Sequence, residues 1–383
     1  MKTMSPKERV LRAVNHQETD QIPSDYWGTP EVDQMLMRYF SVSSLDEVLE
    51  RLGVDIRYIY GSGIIYEEGK ALYGPTARYI GPKPPIFEDG SFEDIWGVRR
   101  IFYKVRSGNI YREVVQNPLR NLNSVQEIEN YDKWPKAEYF EFRGLREEAK
   151  KREMYGLIFG GVNGGSFTVF HQCGYLRGME QVLVDLILSP ALAHALIEKI
   201  TEFQIAYHQK MLDEIGDLLD ILMIADDYGT QSDLIMSRRH FQEFFKKPLG
   251  KLIELGKKHN LKMMMHCDGN IRKLIPDFIE MGIDILNPIQ HTGPEMDPAD
   301  LKREFGKHIC FHGGIDTQQI LPSASAEEVR KEVLIKINIF GKNGGYILAP
   351  GHLLQLDIPT ENIIQFYQAP RIHTDRESDS SEA

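Results

Sequence analysis

The chain has 383 residues, 42% hydrophobic and 26% charged, enough to bury a large core in two domains or in one barrel with insertions. A formal charge of −11 argues against a nucleic-acid partner and disfavours a strongly anionic substrate. No run approaches the roughly 18 apolar residues that span a bilayer, the N-terminus lacks a signal-like apolar region, and Cys173, Cys267 and Cys310 show no framework spacing. These features predict a cytoplasmic enzyme acting on a small molecule, with no membrane or nucleic-acid partner.

In chain order, apolar runs that stop at Gly, Asn, Asp or His mark eight candidate strands: 22–28, 54–60, 157–161, 219–226, 261–268, 283–288, 308–313 and 346–351. The span 61–156 is too long for a simple crossover. Within it, 94–115 alternates aromatic, β-branched and charged residues around Ser107-Gly108-Asn109, which predicts a hairpin in an insertion or lid. From Leu219 onward the strands alternate with helical segments at 239–259, 271–281, 297–305 and 326–340, implying parallel strands with right-handed crossovers. Asp297 before Pro298 reads as a helix cap, and Ser323 and Ser325 ahead of Glu327 and Glu328 supply a second helix start. Eight strands in this alternation predict a single (β/α)8 TIM barrel over 1–369, with the insertion at 61–156. An open doubly wound sheet would carry a glycine-rich phosphate loop, and Gly160-Gly161-Val162-Asn163-Gly164-Gly165 has neither common spacing. The polar, charged stretch 370–383 reads as a disordered tail.

The candidate chemistry gathers at predicted strand ends. Side chains alternate along a strand, so in KMMMHCDGN the residues Met264, His266 and Asp268 share one face while Met263, Met265 and Cys267 share the other. Two metal-competent groups therefore reach the C-terminal end of a core strand, where parallel barrels do their chemistry. Asp226 and Asp227 follow an apolar run and cannot both be buried without partners. One is expected at the mouth as a base or substrate-positioning group, the other at a loop or helix terminus. Cys310 and His312 end the strand at 308–313, with Cys310 deeper as a small apolar filler, and His352 follows the last strand. His266 and Asp268, with a histidine from a nearby strand end, offer three ligands with an open position, the pattern of a catalytic metal centre. Spacing alone leaves metal-free acid–base work and a purely hydrogen-bonded role open. Tyr26, Trp27, His171 and Tyr228 are candidate substrate-binding walls.

ERVLRAVNHQETDQIP, HCDGNIRKLIPDFIEMGIDILNPIQ, LKREFG, FHGGIDTQQILP and GYILAPGHLLQLDIPTENI together resemble the uroporphyrinogen decarboxylase superfamily, over most of the chain. The resemblance implies a (β/α)8 barrel with its site in the C-terminal cleft. The decarboxylases hold an octacarboxylate without metal or cofactor and share an arginine-rich loop after the first strand. Here that stretch reads YWGTPEVDQMLMRYF, with Arg38 as its one arginine. Eight carboxylates need more fixed cations than that. The cobalamin-dependent methyltransferases of the same superfamily bind zinc through an H-x-C pair and a later cysteine, positions that map onto His266, Asp268 and His352. Carboxylate and imidazole replace both thiolates, which implies zinc or another divalent metal with harder ligands and one unit less negative charge, suited to Lewis-acid work.

The resulting expectation is a methyltransferase or demethylase that moves a methyl group from a small methylated substrate to a corrinoid carried by a partner protein. Asp226 or Asp227 would position the substrate, and His312 would be a fourth ligand or acid–base partner. A metal-free decarboxylase of a uroporphyrinogen-like or other carboxylated substrate is the alternative. A non-catalytic barrel that binds a ligand or corrinoid protein is the third reading. A homodimer is also expected, because barrels of this size often pair.

Overall fold

Strands buried on both faces read as unbroken apolar runs, and KMMMH is such a run. The computed structural model describes residues 3–60, 76–106, 108–160 and 168–380, of which 371–380 as backbone only. Among them the strands are β1 (Ile56–Ile59), β2 (Arg78–Tyr79), β3 (Phe92–Glu93), β4 (Arg99–Lys104), β5 (Ile110–Gln116), β6 (Phe140–Glu141), β7 (Gly156–Phe159), β8 (Ile221–Ala225), β9 (Lys262–His266), β10 (Ile285–Asn287), β11 (Cys310–Ile315) and β12 (Tyr346–Pro350). Seven of these form one parallel sheet in the order β1-β7-β8-β9-β10-β11-β12. Register aligns Met223 with Met264, Met264 with Ile285, and Ile285 with Cys310.

These aligned residues form an inner apolar layer with Ile56, Tyr58, Ile158, Ile221, Ile347 and Trp27. Val10 and Val14, from the helix Pro6–Val14, belong to the same layer and cover the strands' N-terminal ends. A Cβ on Gly156 would lie 2.9 Å from Val10, so the helix sits directly against β7. Met263, Met265 and Cys267 belong instead to the outer cluster, packed among the helices. The alternation read from KMMMHCDGN is therefore the observed one, and Cys310 is an inner-layer filler.

The sheet is curled but its ladder is not closed. The segment 22–28, expected as the first strand, makes isolated parallel bridges, Ser24 to Leu348 and Gly28 to Leu354. On its other side Asp55 N donates to Ser24 O at 3.0 Å. Continuous pairing fails for two local reasons. Pro23 has no N–H to give, and the Ser24 N–H is taken at 2.9 Å by the Asp55 carboxylate rather than by a strand carbonyl.

The expected hairpin is present. Antiparallel β4 and β5 pair from Arg99–Gln116 to Lys104–Ile110, β3 adds to β4, and Ser107 at the tip lies outside the described residues. The tip reaches the sheet's rim, where Asn109 Nδ2 donates to Thr29 Oγ1 at 3.0 Å. Residues 61–75 of the insertion and most of the glycine-rich stretch (161–165) lie outside the described residues.

Helix starts follow the sequence signals. Asp297 accepts from Ala299 N and Asp300 N, and Ser325 with Glu328 forms a reciprocal capping box. The single helix expected at 239–259 is instead three consecutive pieces, Arg238–His240, a π turn at Phe241–Phe245, and Lys246–Lys258. Pro248 explains the widened turn, because its ring would clash with the carbonyl four residues earlier. The last helix, Thr360–Ser380, carries Pro370 inside it and crosses the stretch for which the sequence predicts disorder. Among the described residues, no helix is long and apolar enough to cross a membrane.

The inner layer makes a direct prediction. Met264→Ala should cost about 2–5 kcal/mol of folding stability, read as a lower urea midpoint. Ile335→Ala, at a side chain 49% exposed, should stay within about 0.5 kcal/mol. Equal losses would mean that the inner layer is not close-packed.

Candidate functional site

Ala225, His266 and Asn287 sit on one rung of the sheet at the C-terminal ends of β8, β9 and β10. The chain just beyond this rung supplies the polar residues. Asp226 and Asp227 follow β8, Asp268 follows β9, Gln290 follows β10 and His352 follows β12.

Asp226 turns away from the mouth. Its carboxylate accepts the backbone N–H groups of Val169 and Phe170, each at 2.8 Å, and of His171 at 2.9 Å. The Tyr228 hydroxyl adds a fourth bond at 3.1 Å. These donors are the otherwise unpaired N–H groups at the start of the helix Phe170–Arg177. Asp226 thus anchors a helix terminus, and Asp227 is the one that faces the mouth. Asp227 Oδ1 accepts Asp268 N at 2.7 Å and Oδ2 lies 3.5 Å from His171 Nε2. Burial disfavours a charged His171, but Asp226, in hydrogen-bond contact, and then Asp227 outweigh it and raise its pKa.

His266, Asp268 and His352, the set to which the resemblance points, come together at the mouth. One ligand atom from each lies within 4.8 Å of the others. Asp268 Oδ2 is 3.9 Å from His266 Nε2 and 3.4 Å from His352 Nε2. The other carboxylate oxygen, Oδ1, accepts Gln290 Nε2 at 2.9 Å, and Gln290 Oε1 accepts Gly269 N at 2.9 Å. That pairing fixes the carboxylate and leaves Oδ2 aimed at the imidazoles. Burial raises the Asp268 pKa against the pull of both histidines, and burial lowers that of His352 against the pull of Asp268.

Beneath this cluster lies a second polar layer. His266 Nδ1 is 2.6 Å from Asn287 Oδ1, Asn287 Nδ2 is 2.6 Å from His312 Nδ1, and His312 Nε2 is 2.9 Å from Asp25 Oδ2. Tyr58 OH donates to the same Asp25 oxygen at 2.6 Å and accepts Trp27 Nε1 at 2.6 Å. His312 is fully buried with both nitrogens engaged, so it is a supporting residue below the mouth rather than a fourth ligand.

The four expected wall residues divide. His171 is at the mouth, and the Trp27 ring forms the floor, its centroid 5.3 Å from that of His266. Tyr228 is a core side chain stacked on Phe170, because Asp226 holds its hydroxyl inward. Tyr26 is likewise turned into the core by a 2.6 Å bond from its hydroxyl to Asp33. Asp25, Asn287 and Gln290 have no counterpart in the sequence reading. The available signals were a carboxylate beside Tyr26 and Trp27 in an apolar segment, and an amide ending the apolar run of β10.

Fold and site define a parallel α/β protein with a constellation of histidines and carboxylates at the strand C-termini, the position where this class places its chemistry. The chain belongs to the uroporphyrinogen decarboxylase (URO-D) family, whose model matches residues 104–372. Among curated relatives, chloroplastic uroporphyrinogen decarboxylase 2 of Oryza sativa subsp. japonica is 22% identical over 67% of this chain and 63% of its own length. Uroporphyrinogen decarboxylase of Aliivibrio salmonicida is 26% identical over 53% of this chain and 54% of its own. The chain therefore spans less than two thirds of the length of these relatives. Among solved structures, a methyltransferase from Methanosarcina mazei shares the fold with a TM-score of 0.64 and 17% identity, covering 97% of this chain and 99% of that one.

The division of labour between the two adjacent carboxylates is testable. Asp226→Ala leaves several buried donors unmet, at about 1–3 kcal/mol each, so it should lower folding stability by about 3 kcal/mol or more in chemical denaturation. Asp227→Asn should change it by less than about 1 kcal/mol. The opposite order would reassign the two roles.

Proposed function

We propose that this chain is a (β/α)8-barrel methyltransferase or demethylase of the family, cytoplasmic, with 22–28 serving as the eighth stave. In this reading a divalent metal of the zinc type is held by His266, Asp268 and His352. A methyl group passes from a small methylated substrate to a corrinoid acceptor carried by a partner protein.

The spacing of the three ligand atoms carries the metal reading. Separations of 3.4 and 3.9 Å exceed the roughly 2.7–3.2 Å of a hydrogen bond to nitrogen. The 3.4 Å separation falls within the about 3.3–3.6 Å between neighbouring ligand atoms that tetrahedral zinc bonds of 2.0–2.2 Å would set, and the 3.9 Å one lies about 0.3 Å beyond it. The donor chemistry also fits: two imidazole nitrogens and a carboxylate oxygen whose partner oxygen is pinned by Gln290. When bound, such a metal supplies Lewis-acid polarisation of the substrate heteroatom that gives up the methyl group.

The remaining residues bind and manage protons. Trp27 floors the cluster with a buried apolar ring. His171 Nε2, beside Asp227 Oδ2, is placed to hold or deliver a proton to the demethylated heteroatom. Asp227 and Asp268 at the mouth favour a neutral or cationic methylated substrate over a polycarboxylate. A metal-free decarboxylase is the second reading, favoured by the names of the curated relatives. It predicts turnover that persists in chelator.

Metal analysis decides between them. The purified wild type should hold about one divalent metal per chain. His266→Ala and His352→Ala should each lose more than the roughly 10–100-fold in affinity that follows loss of an outer partner. Methyl transfer to a corrinoid acceptor should stop in chelator and return with zinc. Stoichiometric metal that survives both substitutions would overturn the assigned ligands.

A further inference from the structure

A line of buried side chains leads from the interior of the sheet to His266, and the proposed reaction makes no direct use of it. Asp25, His312 and Asn287 are 1%, 0% and 0% exposed, and His266 itself is 4% exposed. Every link is short: Asp25 Oδ2 to His312 Nε2 at 2.9 Å, His312 Nδ1 to Asn287 Nδ2 at 2.6 Å, and Asn287 Oδ1 to His266 Nδ1 at 2.6 Å. We infer that Asp25, His312 and Asn287 are positioning residues that fix the tautomer of His266, placing its proton on Nδ1 and leaving Nε2 bare toward the mouth for a divalent cation. The cation rests on the metal reading above. The tautomer rests on hydrogen-bond direction, with His312 as the neutral, singly protonated imidazole.

That direction follows from which atoms can donate. Trp27 Nε1 can only donate, so the Tyr58 hydroxyl accepts from it and must point its own hydrogen at Asp25. The Asp25 carboxylate accepts this bond and the Tyr26 N–H at 2.7 Å. It can only accept from His312 as well, so His312 Nε2 carries a hydrogen. A singly protonated imidazole then has a bare Nδ1, which needs a donor, and the donor end of Asn287 is Nδ2. The amide oxygen is thereby turned to His266, where it can only accept, so the His266 proton sits on Nδ1. Reversing the amide would set two lone pairs against each other at 2.6 Å between fully buried side chains.

Asn287 passes on polarity rather than a proton, because an amide has one fixed donor end and one fixed acceptor end. The Asp25 charge thus determines the state of a nitrogen three side chains away. The same arrangement holds the ring of His266 in place and makes Nε2 a better electron donor, as outer partners of metal-bound histidines do.

The test uses the full chain stripped of metal and labelled with 15N-histidine. Long-range proton–nitrogen NMR should show His266, assigned by its loss in His266→Ala, with hydrogen on Nδ1 and a bare Nε2. Zinc affinity, measured by competition with a chromogenic chelator, should fall about 10–100-fold in Asn287→Leu. Asn287→Asp keeps an acceptor toward Nδ1 and should lose less than about 10-fold. In Asp25→Asn the chain loses its fixed direction, and the His266 signal should become a mixture of tautomers. Thermal unfolding of the same variants tracks packing, which cannot by itself change the tautomer of a folded ring. A wild-type His266 with its hydrogen on Nε2, or an Asn287→Leu variant with parental zinc affinity, would overturn the inference. A wild type that shows the Nδ1–H form yet binds no zinc would support the relay and overturn the metal reading instead.

Discussion

Four carboxylates, those of Asp25, Asp226, Asp227 and Asp268, converge at one end of an apolar sheet, and each must find partners in place of the water it has lost. That requirement organises the site. Asp226 is satisfied by the start of a helix, so the helix Phe170–Arg177 is drawn against the end of β8 and carries His171 to the mouth. Asp25 is satisfied by Tyr58, the Tyr26 N–H and His312, which locks a polar layer into the floor. Asp227 takes the Asp268 N–H, and Asp268 takes Gln290 with one oxygen only. The last oxygen of the set faces two imidazole nitrogens at distances too long for hydrogen bonds.

The sheet's geometry makes this convergence possible. Period-two alternation sends Met264 inward below His266, while Met263, Met265 and Cys267 go out to the helices. Close packing of the inner layer gives the polar rung above it a rigid base. The thiol of Cys267 is turned to the Tyr228 N–H at 3.3 Å, outside the mouth, and burial pushes its pKa well up. An unreactive thiol one residue from a ligand position is a direct consequence of strand parity.

Much of this was legible in the chain. Parity in KMMMHCDGN identified which residues face the interior, the strand ends placed His266, Asp268, His312 and His352 at one end of the sheet, and the family resemblance singled out His352 as the third member of the cluster. What stayed hidden was hidden for physical reasons. Asp25 and His312 are 287 residues apart, and no local pattern encodes a bond of that span. Asn287 ends an apolar run and reads as a strand terminus, since its role depends on which side chains flank it across the sheet. The choice between Asp226 and Asp227 turned on where a remote helix begins. The first candidate strand, 22–28, pairs only through isolated bridges for a local reason: its apolar pattern is real, but Pro23 and the Asp55 carboxylate remove N–H groups that a ladder needs.

The charge around the cluster bears on the proposed substrate. A donor set of two imidazoles and one carboxylate carries a single negative charge, one unit less than the two-thiolate set implied by the resemblance to the methyltransferase branch. Asp227 restores the missing unit at close range, with Oδ1 3.8 Å from His266 Nε2 and held there by the Asp268 N–H. A divalent cation at this position would then be near electrical balance without any help from the substrate. An anionic substrate would add charge to a balanced, partly buried site and face repulsion from Asp227 at the mouth. A neutral methyl ether or a methylated amine adds none. The same balance works against a polycarboxylate, which would require cationic side chains where this site supplies carboxylates.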